Sequence, residues 1–157
     1  MSAFSVSNDT GLVSNTGGTS YSAVLGPSAT DAEVRASASI SVFKNSNFGD
    51  VLRWTDGNDW YKAYIDGSNF VIQKRVAGKL TIIASQPFPA IAGTSYTIDF
   101  RAVGSTLTAN AWVSSQSEPA GWMLNVNDSS LSSGYCGMRF LTGKGVVTVT
   151  SFQAVTA

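Results

Sequence analysis

The stretch from Phe48 to Ala84 limits the fold more than any other. It reads FGDVLRWTDGNDWYKAYIDGSNFVIQKRVAGKLTIIA, and Asp56-Gly57, Asp66-Gly67 and Ala77-Gly78 cut it into four short runs. Asp-Gly between alternating apolar runs marks a β-hairpin, because a type I′ turn needs positive φ at both central residues. The stretch predicts a four-stranded antiparallel meander.

A two-residue loop at Asp56-Gly57 would set Trp54 opposite Asp59, Arg53 opposite Trp60 and Leu52 opposite Tyr61. Successive side chains in a strand alternate between faces. One face of the meander then carries Leu52, Tyr61, Ala63, Ile65, Phe70 and Ile72. The other carries Arg53, Trp60, Lys62, Tyr64, Val71, Gln73 and Arg75. This is the pattern of a sheet with one face on a core.

The same alternation runs on either side. Val34, Ala36, Ala38, Ile40 and Val42 alternate with Arg35 and serines inside Asp31–Lys44. Ser95–Val113 reads as a hairpin about Gly104-Ser105, with Phe100 opposite Ala109 and Ile98 opposite Ala111. Its other face pairs Arg101 with Thr108, Asp99 with Asn110 and Thr97 with Trp112. Pro87 and Pro89 mark a crossover loop. Further strands are expected at Ala3–Val6, Tyr21–Leu25, Gly121–Val126, Tyr135–Leu141 and Val146–Phe152. Asn8–Ser20 reads as a loop, and Pro27 as a turn. No segment shows helical periodicity with caps. The expected fold is one domain over residues 1–157: an all-β, two-sheet antiparallel β-sandwich of jelly-roll type with almost no helix.

Composition excludes several functions. Lysine and arginine number 10, aspartate and glutamate 10, and net charge is zero. No basic footprint offers itself to nucleic acid. The chain has no histidine, which removes the commonest general base and zinc ligand. Cys136 stands alone and reads as a small buried hydrophobe. No run reaches the roughly 18 apolar residues of a membrane span, so no membrane insertion is expected. The N-terminal residues MSAFSVSNDTG lack the charged and apolar regions of a signal peptide. The polar, weakly charged composition suggests an extracellular or virion-associated setting, reached as part of a longer protein or by release on lysis.

The series VLRWTDGNDWYKAYI, VIQKRVAGKLTIIA, the hairpin ending in Ala111-Trp112, Glu118-Pro119-Ala120-Gly121-Trp122, Asp128-Ser129 and Gly134 with Gly137-Met138-Arg139-Phe140 resembles a concanavalin A-like (laminin G-like) jelly-roll domain. Such domains occur in bacterial extracellular glycan-active proteins and in phage tail or virion proteins. The resemblance spans Asp31 to Val155. It implies the fold and leaves function open among lectins, glycanases, carbohydrate-binding modules and structural domains. Many relatives carry an acidic residue beside calcium in the last strand. Here that strand reads Val147-Thr148-Val149-Thr150-Ser151-Phe152, without a carboxylate.

Glycoside hydrolysis needs two carboxyls roughly 5 to 9.5 Å apart. The glutamates are Glu33 and Glu118 alone, and the Glu-x-Asp-x-x-Glu-like strand of glucanase relatives is missing. Asp9, Asp31, Asp56 and Asp128 are turn carboxylates that could meet around calcium, though turn stabilisation is the simpler role for them. No other cofactor is expected. Sugars stack on Trp and Tyr and hydrogen-bond to Asp, Asn, Arg and Lys. The glycan-binding candidates are therefore Arg53, Trp60, Lys62 and Tyr64 from the meander and Asp99, Arg101, Asn110 and Trp112 from the later hairpin. If both hairpins enter one sheet, they line one surface. Against this, Arg53 could simply stack on Trp60, and Trp112 could lie under the Ser114–Pro119 loop against Trp122. The favoured function is a non-catalytic carbohydrate-binding or adhesion module, with a glycan or cell-surface polysaccharide as partner. The rivals are a structural virion, fibre or decoration protein that binds its own kind, and a glycan hydrolase or lyase. Homo-oligomerisation stays open.

Overall fold

The computed structural model describes residues 4–7, 10–14, 19–24 and 28–157. They form two stacked antiparallel sheets. One has seven strands in the order β1 (Phe4–Ser7), β2 (Thr10–Ser14), β13 (Val146–Thr156), β4 (Ala32–Ile40), β9 (Tyr96–Val103), β10 (Thr106–Val113) and β11 (Leu124–Asn127). The other has six, in the order β3 (Thr19–Val24), β12 (Tyr135–Thr142), β5 (Asn47–Asp56), β6 (Asp59–Ile65), β7 (Asn69–Val76) and β8 (Lys79–Pro87). Among the described residues there is no helix, hence none long and apolar enough to cross a membrane.

The hairpins form where the sequence predicts, with the register of the first one shifted at its turn. β5 to β8 form the meander, and Phe100 lies opposite Ala109, Ile98 opposite Ala111 and Asp99 opposite Asn110. Strand β4 alternates strictly, burying Val34, Ala36, Ala38 and Ile40. Bulk is shared across neighbours: Phe100 sits between Val34 and Ala109, as close packing of facing positions requires. The facing sheet contributes Phe48, Leu52, Tyr61, Ile65, Phe70, Ile72, Met138 and Phe140 to the same core. Cys136 is buried with them.

Several expectations need correction. Strand β2 occupies part of the supposed Asn8–Ser20 loop. Trp122 precedes β11 and is not in a strand. Pro87 ends β8 rather than lying in the crossover, which the sheet tolerates because β8 is an edge strand. Leu25, Pro27 and Asp9 lie outside the described residues.

The largest correction is at the end of β5. Asp56 pairs with Asp59, so the loop is Gly57-Asn58, and the register shifts between Leu52 and Asp56. Arg53, in the left-handed region at φ 51°, turns out of the polar face. Its backbone packs on Gly134, where a Cβ would come within 2.5 Å of the Arg53 carbonyl carbon. The guanidinium is buried and donates to three carbonyls: Thr30 at 3.0 Å, Leu131 at 2.8 Å and Gly104 at 2.6 Å. Asp31 stands 3.6 Å from it. Arg53 thus ties three loops together at one end of the sandwich. Tyr61 does related work nearby: its hydroxyl donates to Asp128 Oδ1 at 2.6 Å and accepts from Leu131 N–H at 3.0 Å.

Asp50 is an acid in the core. It lies between Phe48 and Leu52 on β5, opposite Ala63 and Met138. Both its oxygens are buried with no hydrogen-bond partner among the described residues. Burial, with a smaller push from Asp99, holds its carboxyl well above the usual range.

Two outcomes are expected. Arg53→Met should cost about 3 kcal/mol or more in urea unfolding, because it leaves three buried carbonyls without their charged donor; a loss under about 1 kcal/mol would mean the loops hold without it. Asp50 binds its proton more tightly in the folded state than in the unfolded one. Its contribution is therefore fully present below the unfolded carboxylate pKa of roughly 3.9 and declines as pH rises toward the folded value. Relative to Asp50→Asn, the wild type should lose stability on going from pH 4 to pH 8, by up to about tenfold in the folding equilibrium per pH unit. Parallel stability–pH curves would show that Asp50 is solvated or paired.

Candidate functional site

The two hairpins that carry the glycan-binding candidates enter different sheets. Trp60, Lys62 and Tyr64 point outward from the six-stranded sheet, and Asp99, Arg101, Asn110 and Trp112 outward from the seven-stranded one. They lie on opposite sides of the sandwich and cannot share one surface. Arg53 belongs to neither set.

On the seven-stranded sheet the candidates are engaged with one another and with loops. Arg35, not foreseen as a site residue, is the hub. Its Nη2 donates to Asp99 Oδ2 at 2.5 Å and Glu118 Oε2 at 2.9 Å, and its guanidinium lies 5.5 Å from the Trp112 ring centre. Burial pushes the Asp99 carboxyl up, against the opposing pull of Arg35. Asn110 spends both ends of its amide on the loop before β11, donating to Gly121 O and accepting from Met123 N–H, each at 2.8 Å. Arg101 faces Glu33 at 3.8 Å. These groups hold the sheet and its loops together, although Asp99 Oδ1 and Arg101 Nε find no hydrogen-bond partner among the described residues.

The six-stranded sheet differs. Its outward residues surround a depression of about 260 Å³ lined by Asn47, Trp60, Lys62, Tyr64, Gln73, Arg75 and Arg139, with Ser20, Leu80 and Leu141 at its margins. Register explains the assembly. Trp60 pairs with Arg75, Lys62 with Gln73, and Arg139 with Gly49, which itself faces Tyr64. Gly49 has no room for a side chain: a Cβ would come within 2.7 Å of Tyr64 Cβ and 2.1 Å of Ala63 O. Across this bare stretch of β5 the Lys62 ammonium reaches Asn47 Oδ1 and lies 4.9 Å from the Tyr64 ring centre. Arg139 covers the Trp60 ring at 4.9 Å and donates from Nη1 to Ser22 Oγ at 2.6 Å.

This geometry corrects the expected mode of recognition. Trp60 is only 2% exposed, with its Nε1–H on Gly57 O at 3.2 Å. It is the floor beneath Arg139 and not an open stacking platform. Trp112 is likewise covered by Arg35. The groups that can meet a ligand in the depression are the cations and amides above the aromatic rings. Electrostatics set Lys62 apart. Burial, and secondarily the Arg139 charge, hold its pKa well below the usual lysine value. Arg139 is itself lowered by burial and by Arg75.

Sequence reasoning placed Gln73 and Arg75 on the right face but outside the site, and it missed Asn47 and Arg139. The alternation of Met138 and Phe140 in the core already turned Arg139 outward. Its neighbour β5 is remote in sequence, and no turn announces that pairing. As for the turn carboxylates, Asp31 accepts from Gly104 N–H, Asp56 from Asn58 N–H and Asp128 from Ser130 N–H, Tyr61 and Lys74. Among the described residues no group of three or more acidic or sulfur side chains forms that could hold a metal ion.

No family profile matches the sequence, and no curated protein sequence matches it significantly. Solved structures do match. The carbohydrate-binding module CBM66 from Bacillus subtilis superposes with a TM-score of 0.80 at 14% identity, over 98% of this chain and 91% of that one. The exoplasmic/lumenal domain of VIP36, solved with Ca2+ and Man3GlcNAc, gives 0.71 at 10% identity, over 99% and 81%. A xylan β-1,4-xylosidase from Bacillus halodurans gives 0.60 at 14%, over 80% of this chain but 28% of the enzyme. At such identities the likeness establishes the fold, a concanavalin A-like jelly roll.

Trp60→Ala should therefore lower stability by about 3 to 5 kcal/mol, the range for a buried large aromatic, as read from urea unfolding. An unchanged midpoint would mean the ring stands open to solvent.

Proposed function

We propose that this domain is a non-catalytic glycan-binding module whose site is the depression on the outer face of the six-stranded sheet. The observation that carries the reading is the convergence there of Arg139, Arg75, Lys62, Asn47 and Gln73 over two aromatic rings. Guanidinium, ammonium and amide groups supply the donors and acceptors that hydroxyls need, and an open depression suits one or two sugar residues of a longer chain. The fold it shares with a carbohydrate-binding module and with a sugar-bound lumenal domain supports the same reading. Among the described residues no carboxylate lines the depression, so they supply it no acid pair of the kind glycoside hydrolysis uses. The partner would be a polysaccharide, met outside the cell or at a virion surface, where adhesion is the natural role.

A self-assembling structural role has one observation in its favour. Edge strand β8 exposes Leu80 and Ile82 by more than half, and such edges invite pairing. Size-exclusion chromatography over a concentration series reads this directly.

A glycan array with the purified domain tests the main reading. At least one saccharide should bind, without release of reducing ends. Arg139→Ala and Gln73→Ala should each weaken that binding about tenfold or more, equal to roughly 1.4 kcal/mol. Thr108→Ala on the other sheet should leave it unchanged. A ligand that is lost on changing the seven-stranded face instead would overturn the assignment.

A further inference from the structure

We infer that the depression selects an anionic saccharide, one whose carboxylate or sulfate is held between Lys62, Arg75 and Arg139. This rests on the glycan-binding reading and goes beyond it by naming the chemical class of the ligand.

The charge pattern carries the inference. The chain is neutral overall; outside the depression four cations sit against acids, and among the described residues Lys44, Lys79 and Lys144 form no ion pair. Arg35 meets Asp99 and Glu118, Arg53 meets Asp31, Lys74 meets Asp128 and Arg101 meets Glu33. In the depression three cations converge, and among the described residues none of them forms an ion pair. Like charges brought together on a partly desolvated surface repel, and that repulsion is retained in the folded state without an internal counterion. Lys62 is the extreme case. It is nearly fully buried, and its ammonium is directed at a neutral amide oxygen, that of Asn47. A buried cation is costly unless paired, so a ligand anion entering here supplies the missing partner.

The geometry is suited to an oxyanion. A guanidinium offers five N–H donors in a planar fork that fits carboxylate or sulfate oxygens in pairs. Arg139 commits Nη1 to Ser22, and Arg75 commits Nε to Gly78 O at 3.2 Å. Gln73, Asn47 and Ser20 lie around the cations as partners for neighbouring hydroxyls. Leu80 and Leu141 at the margin offer apolar surface to a ring face. The seven-stranded face makes the contrast within the same molecule: its arginines are already neutralised by Glu33, Asp99 and Glu118.

Four polymers distinguish the outcomes: polygalacturonate, its fully methyl-esterified form, dextran sulfate and unmodified dextran, each titrated by calorimetry at 20 mM and 300 mM salt. The inference expects at least one polyanion to bind at least tenfold tighter than its neutral counterpart at low salt, with the margin shrinking at high salt. Preference for polygalacturonate identifies a carboxylate ligand, and preference for dextran sulfate a sulfate. Arg75→Gln combined with Arg139→Gln should abolish the preference. Lys62→Met should also abolish it while keeping or raising Tm, because it replaces a buried cation with an apolar chain of similar length. Lys44→Gln with Lys144→Gln, away from the depression, should change nothing.

Equal binding of charged and neutral polymers would overturn the inference and leave the glycan-binding reading standing. Polyanion binding that persists in the Arg75/Arg139 double variant would reduce it to adhesion on scattered surface lysines, which also overturns it. No binding to these polymers, together with a blank glycan array, would remove both.

Discussion

Two antiparallel sheets can stack only if every strand gives alternate side chains to the space between them. That requirement organises this molecule. Val34, Ala36, Ala38 and Ile40 meet Phe48, Leu52, Tyr61 and Met138 across one shared core, and each residue between them is committed to one of two outer surfaces. The outer surfaces are separated by the full thickness of the sandwich, so they develop independently. One becomes a paired lattice about Arg35, with Asp99, Glu118 and Trp112 as its partners. The other gathers Lys62, Arg75 and Arg139 with no acid among them.

Two buried ionisable groups show how differently one fold can treat charge. Asp50 faces inward among apolar neighbours, and burial raises its carboxyl pKa. Its contribution to the core therefore weakens as pH rises. Lys62 faces outward but is covered by Tyr64, Asn47 and the arginines, and it is pushed toward its neutral form. An arriving anion would reverse that push for Lys62. Nothing outside the protein can reach Asp50 in the same way, so its effect falls on stability alone. Arg53 is a third case: it remains useful in the interior because backbone carbonyls and Asp31 surround its guanidinium.

What was legible in the sequence was local. Strict alternation in β4, the positions of the hairpins, the Gly104-Ser105 turn and the large-against-small pairing of Phe100 with Ala109 were readable, because they are set by residues next to each other in the chain. What failed depended on distant segments. The shift that redirects Arg53 depends on Gly134 pressing against it from eighty residues away, and no pattern around Asp56-Gly57 announces it. Arg139 reaches Trp60 only because β12 pairs with β5, a choice made by the whole topology. The burial of Trp60 and Trp112 was misjudged for the same reason. Parity assigns a side chain to a face, but it does not say whether an arginine from another strand will lie on top of it. Strand β2 was overlooked because its short, Gly-containing run carries too little apolar content to stand out from the polar N-terminal stretch.

The central claim is that ligand recognition belongs to the outer face of the six-stranded sheet and is governed by its unneutralised cations. The most direct measurement is a crystal structure of the domain with a short oligogalacturonide or a sulfated oligosaccharide. The account predicts saccharide density across the Gly49 gap, with an anionic oxygen within hydrogen-bonding distance of Arg139 and either Lys62 or Arg75. Ligand density over Arg35, Asp99 and Trp112 on the opposite sheet, with the Lys62 depression empty, would contradict it.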